Sequence, residues 1–461
     1  MAELRDLLLH TAHAIADYRE SLPQARVFPA AELAVIRSGF GLTLPDRGIA
    51  PAQVLQALIA AAAPGLVATA GPRYFGFVIG GALPAATAAE MLATGWDQNA
   101  YSAASSPAAA AVEETTGAWL KELLGIPPAA SFGFVTGGQA ANTVGLAAAR
   151  QHVLQREGWD VARDGLFGAP RVRVVASVER HATIDGSLRL LGFGAGGIEE
   201  VTTDANGAID VTQLIATLAR GERAPTIVIL QAGNVNTGAC DDLERAIAAA
   251  KKHGAWVHID GAFGLWAAAS TSTRSLVAGL EHADSWACDG HKWLNVPHDS
   301  GYVFSAHPEA HRAAMALHAA YLTGLPGGEL RSPGDFVPES SRRARGFATW
   351  AALSELGRSG VASLVERCCL LARRFAEQLK EREGVEVVND VVLNQVLVRF
   401  GDSDACTLRV IDRVQQSGEC WMGGTRWRGQ QLMRIAVSNA TTTEADVDRS
   451  VAAVLKAFRS E

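Results

Sequence analysis

The chain has 461 residues, 48% of them hydrophobic and 19% charged, which is enough for a large buried core shared by two or three domains. The formal net charge of −7, with lysine and arginine scattered along the chain, argues against a nucleic-acid partner. The most apolar stretch, residues 57–70, is short for a membrane span and contains Pro64 and Gly65. Because the first residues also lack a secretory leader, we expect a cytoplasmic protein that uses no membrane.

Residues 1–50 predict an N-terminal helical arm. In Met1–Leu22, leucines recur near the 3.6-residue repeat of an amphipathic helix, and a proline-containing loop follows. The arm precedes the rest of the fold and has little of its own to pack against. We therefore expect it to dock on a partner subunit.

Residues 51–310 predict a large α/β domain in which short apolar runs alternate with helical patterns. Strands alternating with helices imply a mostly parallel sheet with both faces covered. Ligands in such sheets bind beyond the carboxyl ends of the strands. The strand candidates are Phe132–Val135, Arg173–Ala176, Thr226–Leu230, Trp256–Ile259, Ser285–Cys288 and Tyr302–Phe304.

Residues 311–461 predict a smaller α+β domain. A long helical stretch over Ala344–Gly360 continues into Val361–Glu383, and a final helix covers Glu444–Phe458. Strand-like runs lie between them, at Val385–Val388, Val392–Phe400 and Met433–Val437. The six cysteines show neither C-x-x-C spacing nor neighbouring histidines at zinc-ligand spacing, so we expect reduced thiols and no metal site.

The segment Asp289-Gly290-His291-Lys292-Trp293 follows one of the strand candidates. A lysine that forms a Schiff base must be partly desolvated, so that its amine is neutral and nucleophilic. The apolar surroundings of Lys292 fit that requirement. Taken alone, the same lysine is also compatible with an exposed surface position, where most lysines lie.

His258-Ile259-Asp260-Gly261-Ala262 ends another strand candidate. An unpaired carboxylate at Asp260 would be costly to bury, so the residue requires a cationic partner. The alternative is an aspartate that caps the next helix.

Thr136-Gly137-Gly138-Gln139 lies between a strand candidate and a helix. Glycines let the backbone approach a phosphate closely, and the helix N-terminus supplies unpaired N–H groups. A tight turn with no ligand is the simpler interpretation of this motif alone. His181, between a strand and a helix, is either a ring that stacks on a flat ligand or a structural histidine. All four motifs follow strands of one α/β unit and could face one crevice.

With these motifs in place, the sequence resembles the fold-type I pyridoxal-5′-phosphate (PLP) enzymes. Within them it is similar to the group II amino-acid decarboxylases, which include aromatic-L-amino-acid decarboxylases. The specific part is the stretch from Ala283 to Trp293, with the His-Lys-Trp triplet, followed by Pro297 and Asp299-Ser300-Gly301. The resemblance extends from about Ala16 to the C-terminus.

The resemblance implies a mostly parallel, seven-stranded large domain with a smaller α+β C-terminal domain, as in aspartate aminotransferase. It implies that Lys292 is the Schiff-base lysine, that Asp260 pairs with the pyridine nitrogen and that His181 stacks on the ring. The phosphate would lie near Thr136, Gly137, Gly138 and Gln139, while Asn234 and His291 would border the cofactor. Arg434 resembles an arginine that binds the substrate carboxylate, although a structural role is also possible. A homodimer is implied, because active sites in this superfamily usually take residues from both subunits.

The implied reaction is decarboxylation of an L-amino acid through an external aldimine and a quinonoid. The family usually carries a proton-donating tyrosine on a loop after the lysine, whereas Gly327–Pro338 has none and places Phe336 near that position. Tyr321 lies outside this loop and is a possible substitute. Decarboxylation-dependent oxidative deamination, which yields an aldehyde, is therefore the alternative.

The segment Tyr74-Phe75-Gly76-Phe77 resembles the one that lines the family's substrate cleft. Phe77 is therefore a candidate substrate contact. An apolar cleft favours a substrate with an aromatic or bulky apolar side chain. Core packing explains these aromatics equally well. Two further function classes remain open. One is an aminotransferase or aldolase on the same fold, and the other is a binding protein without catalysis.

Overall fold

The computed structural model describes residues 2–41, 43–220, 223–317 and 331–459. The chain forms two compact units. The larger unit comprises Ala82–Ala372 and Asn389–Gln395, and the smaller comprises Met1–Gly81, Arg373–Val388 and Val396–Glu461.

The larger unit is built on a seven-stranded sheet with the order β1-β7-β6-β5-β4-β2-β3. Neighbouring strands are parallel except for β7, which runs antiparallel to β1 and β6. The sequence-based prediction of a mostly parallel α/β sheet is therefore confirmed. The strands are β1 (Ser131–Val135), β2 (Arg173–Ser177), β3 (Ile198–Val201), β4 (Thr226–Gln231), β5 (Trp256–Asp260), β6 (Ser285–Asp289) and β7 (Gly301–Ser305).

Helices cover this sheet, which is why its central strands are buried along their whole length. They are α4 (Pro84–Trp96), α5 (Pro107–Leu124), α6 (Gly138–Gln155), α7 (Val161–Asp164), α8 (Ala182–Leu190), α9 (Val211–Leu218), α10 (Leu243–Lys252) and α11 (Pro308–Met315). Helix α6 starts directly after β1 and packs its alanine-rich side into the core beside β2 and β4.

The smaller unit has a second sheet, with the order β10-β11-β9-β8. Its described pairings β10–β11 and β8–β9 are antiparallel. The strands are β8 (Val385–Val387), β9 (Gln395–Phe400), β10 (Gly423–Trp427) and β11 (Gln430–Ala436). The helices are α1 (Ala2–Ser21), α2 (Leu33–Gly39), α3 (Pro51–Ala62), α13 (Asp404–Ser417) and α14 (Glu444–Arg459).

Helix α12 (Gly346–Lys380) runs from the larger unit into the smaller one. It is interrupted at Gly357, where φ is 60° and ψ is 178°. A side chain rarely adopts this positive φ, so glycine permits the break. The sequence predicted a helical stretch over Ala344–Gly360 that continues into Val361–Glu383, and the helix lies within those bounds, with its break at Gly357.

These compact units do not coincide with the predicted boundaries at residues 50 and 310. The first 81 residues group with the C-terminal part of the chain because their backbone bonds to it. Val27 N donates to Gly418 O at 2.8 Å, and Phe75 N donates to Trp421 O at 2.8 Å. Such long-range pairing leaves no mark in the local sequence pattern.

Strands β3 and β10 were missed by the sequence analysis. Their sequences, Ile-Glu-Glu-Val and Gly-Gly-Thr-Arg-Trp, contain few apolar residues because both strands lie at a sheet edge. Among the helices in the described ranges, none is both long and apolar enough to cross a membrane.

Candidate active site

Lys292 lies just beyond the carboxyl end of β6. Its Nζ is 2.9 Å from Oδ2 of Asp289, the last residue of that strand. The Asp289 side chain is only 2% exposed and the Lys292 side chain 20% exposed. The lysine is therefore not an ordinary surface lysine but half of a largely buried ion pair.

The glycine turn between β1 and α6 packs against this ion pair. A Cβ atom added at Gly138 would lie 2.8 Å from Asp289 Oδ2, and one added at Gly137 would lie 2.8 Å from His291 Cε1. A side chain on Gly301, the partner of Val135 in the β1–β7 pairing, would likewise collide with the Gly137 backbone. Glycine is therefore required at these positions by close approach, and the turn leads into the N-terminus of α6, the end of a helix that favours an anion.

Asp260 ends β5, the strand next to β6, where it is the register partner of Ala287. Its Oδ1 accepts a hydrogen bond of 3.2 Å from Ala262 N, and Ala262 O in turn accepts one of 2.9 Å from Asp289 N. The carboxylate of Asp260 is 5% exposed. The aspartate segment and the lysine segment are thus joined at one edge of the sheet, as the sequence analysis predicted.

His291 is held in one orientation beside the turn. Its Nδ1 accepts a hydrogen bond of 3.1 Å from Ser300 N, and its ring stacks on His298 at 4.3 Å between centroids. Burial, opposed by the nearby Asp289 charge, lowers the pKa of His291 to about 4. The imidazole is therefore neutral at physiological pH, and its proton lies on Nε2, on the side of Asp289.

His181 has a structural contact of its own at the start of α8. Its Nδ1 accepts a hydrogen bond of 3.3 Å from Thr183 N and lies 2.8 Å from Thr183 Oγ1, which makes it the N-cap of that helix. The cap fixes the plane of the ring. Whether the ring also stacks on a ligand stays a prediction.

Helix α8 packs along α6 close to the glycine turn. Thr143 Oγ1 and Ser187 Oγ both donate to Gln139 O, at 2.8 and 3.3 Å. Within this arrangement Gln139 is exposed and Thr136 half-buried. Gln139, the residue after the two glycines, is thus linked to α8 through Ser187.

Asn234 is fully buried and shapes its own loop. Its Oδ1 accepts hydrogen bonds from Asn236 N and Thr237 N, at 2.9 and 3.3 Å, and its Nδ2 donates to Glu179 Oε2 at 3.3 Å. These contacts tie the loop after β4 to the one that carries His181. They explain Asn234 as a loop-forming residue, so its predicted role beside the cofactor stays a prediction.

The three predicted substrate residues do not all belong to the same unit: Phe336 lies in the larger one, and Phe77 and Arg434 lie in the smaller one. Phe336 packs against His311 at 5.2 Å between ring centroids and lies under the guanidinium of Arg331, at 4.2 Å. These contacts account for it as a packing residue. The preceding part of the loop, up to Leu330, and Tyr321 lie outside the described residues.

Phe77 and Arg434 belong to the smaller unit. Phe77 is 58% exposed, with its ring 5.2 Å from that of Trp421, and both Phe77 and Val78 have positive φ, at 53° and 58°. Two consecutive non-glycine residues in this region are rare, and one of them is β-branched. Arg434 lies in β11, where burial lowers the pKa of its guanidinium. Their substrate roles stay predictions.

Asp289 is a candidate functional residue that the sequence analysis did not single out. The signal was present, because an aspartate that ends a buried strand three residues before a candidate Schiff-base lysine requires a cation. Within the part of the chain that the structure describes, its Oδ1 has no hydrogen-bond partner and lies 3.8 Å from His291 Nε2.

The larger unit supplies the three features that PLP requires, namely an amine for covalent attachment, a carboxylate for the ring nitrogen and a phosphate-binding helix N-terminus. The buried oxygen of Asp289 that has no hydrogen-bond partner among the described residues agrees with a site built for a polar ligand. Lys292 would carry the cofactor, Asp260 would pair with the ring nitrogen, and the turn would hold the phosphate.

Comparison with known proteins shows the family to which the chain belongs. Residues 36–400 match the family described as pyridoxal-dependent decarboxylase conserved domain. The chain is 25% identical to an aromatic-L-amino-acid decarboxylase of Bacillus atrophaeus, over 96% of this chain and 93% of that protein. It is 30% identical to an L-2,4-diaminobutyrate decarboxylase of Rhizobium meliloti, over 80% and 74%. The solved structure of Oryza sativa TDC with PLP and tryptamine superposes with a TM-score of 0.92, covering 100% of this chain and 98% of that one at 22% identity.

Proposed function

Because this chain belongs to the pyridoxal-dependent decarboxylase family, we propose that it removes the α-carboxylate from an L-amino acid with an aromatic or bulky apolar side chain. As a family member it is a PLP-dependent carboxy-lyase that acts on an amino acid. The observation that carries the proposal is the convergence of Lys292, Asp260 and the Gly137-Gly138 turn on one edge of the sheet.

The choice of an aromatic substrate is supported by the aromatic segment of the smaller unit. Tyr74 stacks on Trp421 at 5.1 Å between centroids, and Phe77 extends this group with a largely exposed ring. An exposed aromatic on a strained backbone is typical of a binding contact. The diaminobutyrate-type relative supports the competing choice of a charged side chain, so both substrate classes belong in the test.

When bound, PLP withdraws electrons from the α-carbon of the substrate, so that the carboxylate can leave as CO2. The residues of the chain control the geometry and the protons. Lys292 Nζ would hold the cofactor through its amine and is one of the two groups, with His181, that could move a proton. His181 is oriented through its Nδ1 cap, so any proton it moves passes through Nε2. Arg434 is the candidate partner of the substrate carboxylate.

The test is a product assay with the purified, PLP-loaded protein. Tryptophan, tyrosine, phenylalanine and 2,4-diaminobutyrate are supplied one at a time, and CO2, amine, aldehyde and peroxide are quantified together. Equal CO2 and amine from an aromatic substrate is the expected result. CO2 and amine from diaminobutyrate alone would contradict the proposed substrate class, and no CO2 from any amino acid would overturn the proposed reaction.

Oxidative deamination after decarboxylation is the second candidate; it would consume dioxygen and water and release an aldehyde, ammonia and hydrogen peroxide in place of the amine. Residues 331–338 contain no tyrosine, and the described contacts of Phe336 are those of a packing residue. A phenylalanine cannot return a proton to a carbanion. Aldehyde and peroxide in place of amine would favour this candidate, and Phe336→Tyr would then be expected to shift the products toward amine.

We further propose that the enzyme acts in the cytoplasm as a homodimer. All six cysteines are free thiols, as is usual in a reducing compartment. Helices α1 and α2 expose several large apolar side chains, which supports a partner on that surface: Leu4, Leu8, Leu9, Leu33 and Val35. Light scattering of the PLP-loaded protein tests the dimer, and a monomeric mass with full activity would contradict it.

A further inference from the structure

We propose that Asp289 is a positioning residue for Lys292, whose buried carboxylate holds Nζ beside the glycine turn and keeps the amine in its ammonium form until a cofactor binds. The inference rests on the proposed function in so far as Lys292 is the cofactor lysine. The inference adds Asp289 to that function, as the residue that determines the position and the protonation state of the Lys292 amine before the cofactor binds.

The geometry of the pair supports this role. Asp289 ends β6 and is itself fixed by the backbone bond from its N–H to Ala262 O, at 2.9 Å. Lys292 follows three residues later, in the turn after the strand, and reaches back to Oδ2 at 2.9 Å. The position of Nζ is therefore set by a rigid strand end and not by the flexible stem of the lysine alone.

The surroundings make the charge of Asp289 effective. A carboxylate in a buried site interacts with a neighbouring ammonium far more strongly than one in water. The other ionisable groups near the pair are His291, His298, Asp260, the Cys288 thiol and the phenol of Tyr302, whose pKa is raised by burial. Burial lowers the pKa of both histidines and raises the pKa of Cys288, so these three side chains are neutral at physiological pH. Asp260 is the remaining charge, and the ring nitrogen of the cofactor is its proposed partner.

The pair also has a consequence for the phosphate. Asp289 Oδ2 lies directly behind Gly138, the first residue of α6, where a Cβ would approach it to 2.8 Å. An isolated carboxylate at this point would repel a phosphate held at the helix N-terminus. The ammonium of Lys292 neutralises that carboxylate, so the same pairing that fixes the lysine leaves the helix N-terminus attractive to an anion.

Amine reactivity in the cofactor-free protein tests the inference. Formaldehyde with cyanoborohydride methylates only neutral amines, because a neutral nitrogen must add to the aldehyde and lose water before hydride reduces the imine. The rate at Lys292 is followed by mass spectrometry of its peptide at neutral pH. Asp289→Asn keeps the size of the side chain but removes its charge, so we expect the rate at Lys292 to rise about tenfold or more.

Matched variants separate charge from access. Asp289→Glu retains the charge and should keep the rate low, whereas Asp289→Ala should match Asp289→Asn and not exceed it. Lys251 and Lys252, measured in the same digests, should be unaffected. The exposed Asp164, which pairs with Arg163, supplies the control variant Asp164→Asn.

Equal Lys292 rates in Asp289→Asn and the wild type would overturn the inference. If Asp289→Asn does not fold, Asp289→Ala decides the matter, because it removes the same charge and a Lys292 rate equal to that of the wild type would again overturn the inference. No step of this assay uses PLP or a substrate. Its failure is therefore distinguishable from an absence of CO2 in the product assay, which concerns the proposed function alone.

Discussion

Strand β6 lies between two buried aspartates, and they differ in how completely their oxygens are paired. Asp284, directly before the strand, receives hydrogen bonds from Lys251 Nζ, Val257 N and His307 Nε2, at 2.5, 2.7 and 2.8 Å. Asp289, at the other end, has Lys292 on one oxygen, and its second oxygen has no hydrogen-bond partner among the described residues.

This difference is what the proposed role of Asp289 beside Lys292 predicts for a structural and a functional carboxylate. Buried polar groups in proteins are nearly always satisfied, and exceptions concentrate where a ligand or a reaction is expected. Asp284 is satisfied at the end of the sheet where parallel strands begin, and Asp289 is under-satisfied at the end where they finish. The latter is the end at which ligands bind in α/β sheets. Four experiments test this contrast.

The largest effect is expected from Lys292→Ala. The variant loses the amine that would anchor the cofactor, so CO2 release should fall on the order of 10³-fold or more, while the fold persists. Product assays and the loss of covalently bound PLP, trapped by borohydride, provide the measurement. Lys251→Ala at the other end of β6 is the control, and comparable activity in both variants would remove the distinction between the two ends.

Asp260→Asn should have the next largest effect. The amide cannot hold a proton on the ring nitrogen of the cofactor, so turnover should fall on the order of 10²-fold although PLP still binds covalently. Turnover and PLP content are measured on the same preparation. Asp260→Glu retains the charge and should recover part of the rate. Full activity in Asp260→Asn would show that this carboxylate is merely structural.

Asp284→Asn should reduce the free energy of unfolding by about 1–3 kcal/mol, because the buried Val257 N–H, the Lys251 ammonium and the His307 ring lose their charged acceptor. Lys251 and His307 are partly exposed, which keeps the cost at the lower end of what a broken buried pair causes. Chemical denaturation measures the loss. Turnover of the folded fraction should be unchanged. A drop in turnover without a loss of stability would show that Asp284 has a functional role and not a structural one.

The smallest effect is a difference in acid sensitivity. Burial acts to raise the pKa of Asp284, but the His307 hydrogen bond and the Lys251 charge outweigh it, and the pKa lies below the usual value of 3.8. A depressed carboxyl pKa stabilises the folded state above the unfolded pKa, and this contribution is lost as the pH falls through the folded pKa. Unfolding measured below pH 4 should therefore show a steeper loss of stability in the wild type than in Asp284→Asn. If the free energy of unfolding fell equally with pH in the wild type and in Asp284→Asn, the proposed effect of Lys251 and His307 on Asp284 would be contradicted.

Much of the larger unit could be predicted from its sequence. The strands β1, β2, β4, β5, β6 and β7 are buried and apolar, so their local pattern suffices. The edge strands β3 and β10 could not be recognised, because exposed positions do not require apolar residues. The local sequence pattern also could not assign the first 81 residues to the smaller unit. That assignment depends on backbone hydrogen bonds between residues that lie several hundred positions apart in the chain.

The sequence by itself determined the chemical groups and the strand ends that carry them. A lysine in an apolar turn, an aspartate that ends a strand and two glycines before a helix are local features with local physical reasons. Only the tertiary structure decided which of them meet. It paired Lys292 with Asp289 at 2.9 Å, placed Gly138 against the same carboxylate and occupied His181 and Asn234 with bonds of their own loops. These contacts depend on how strands and helices distant in sequence pack, and no single segment encodes that packing.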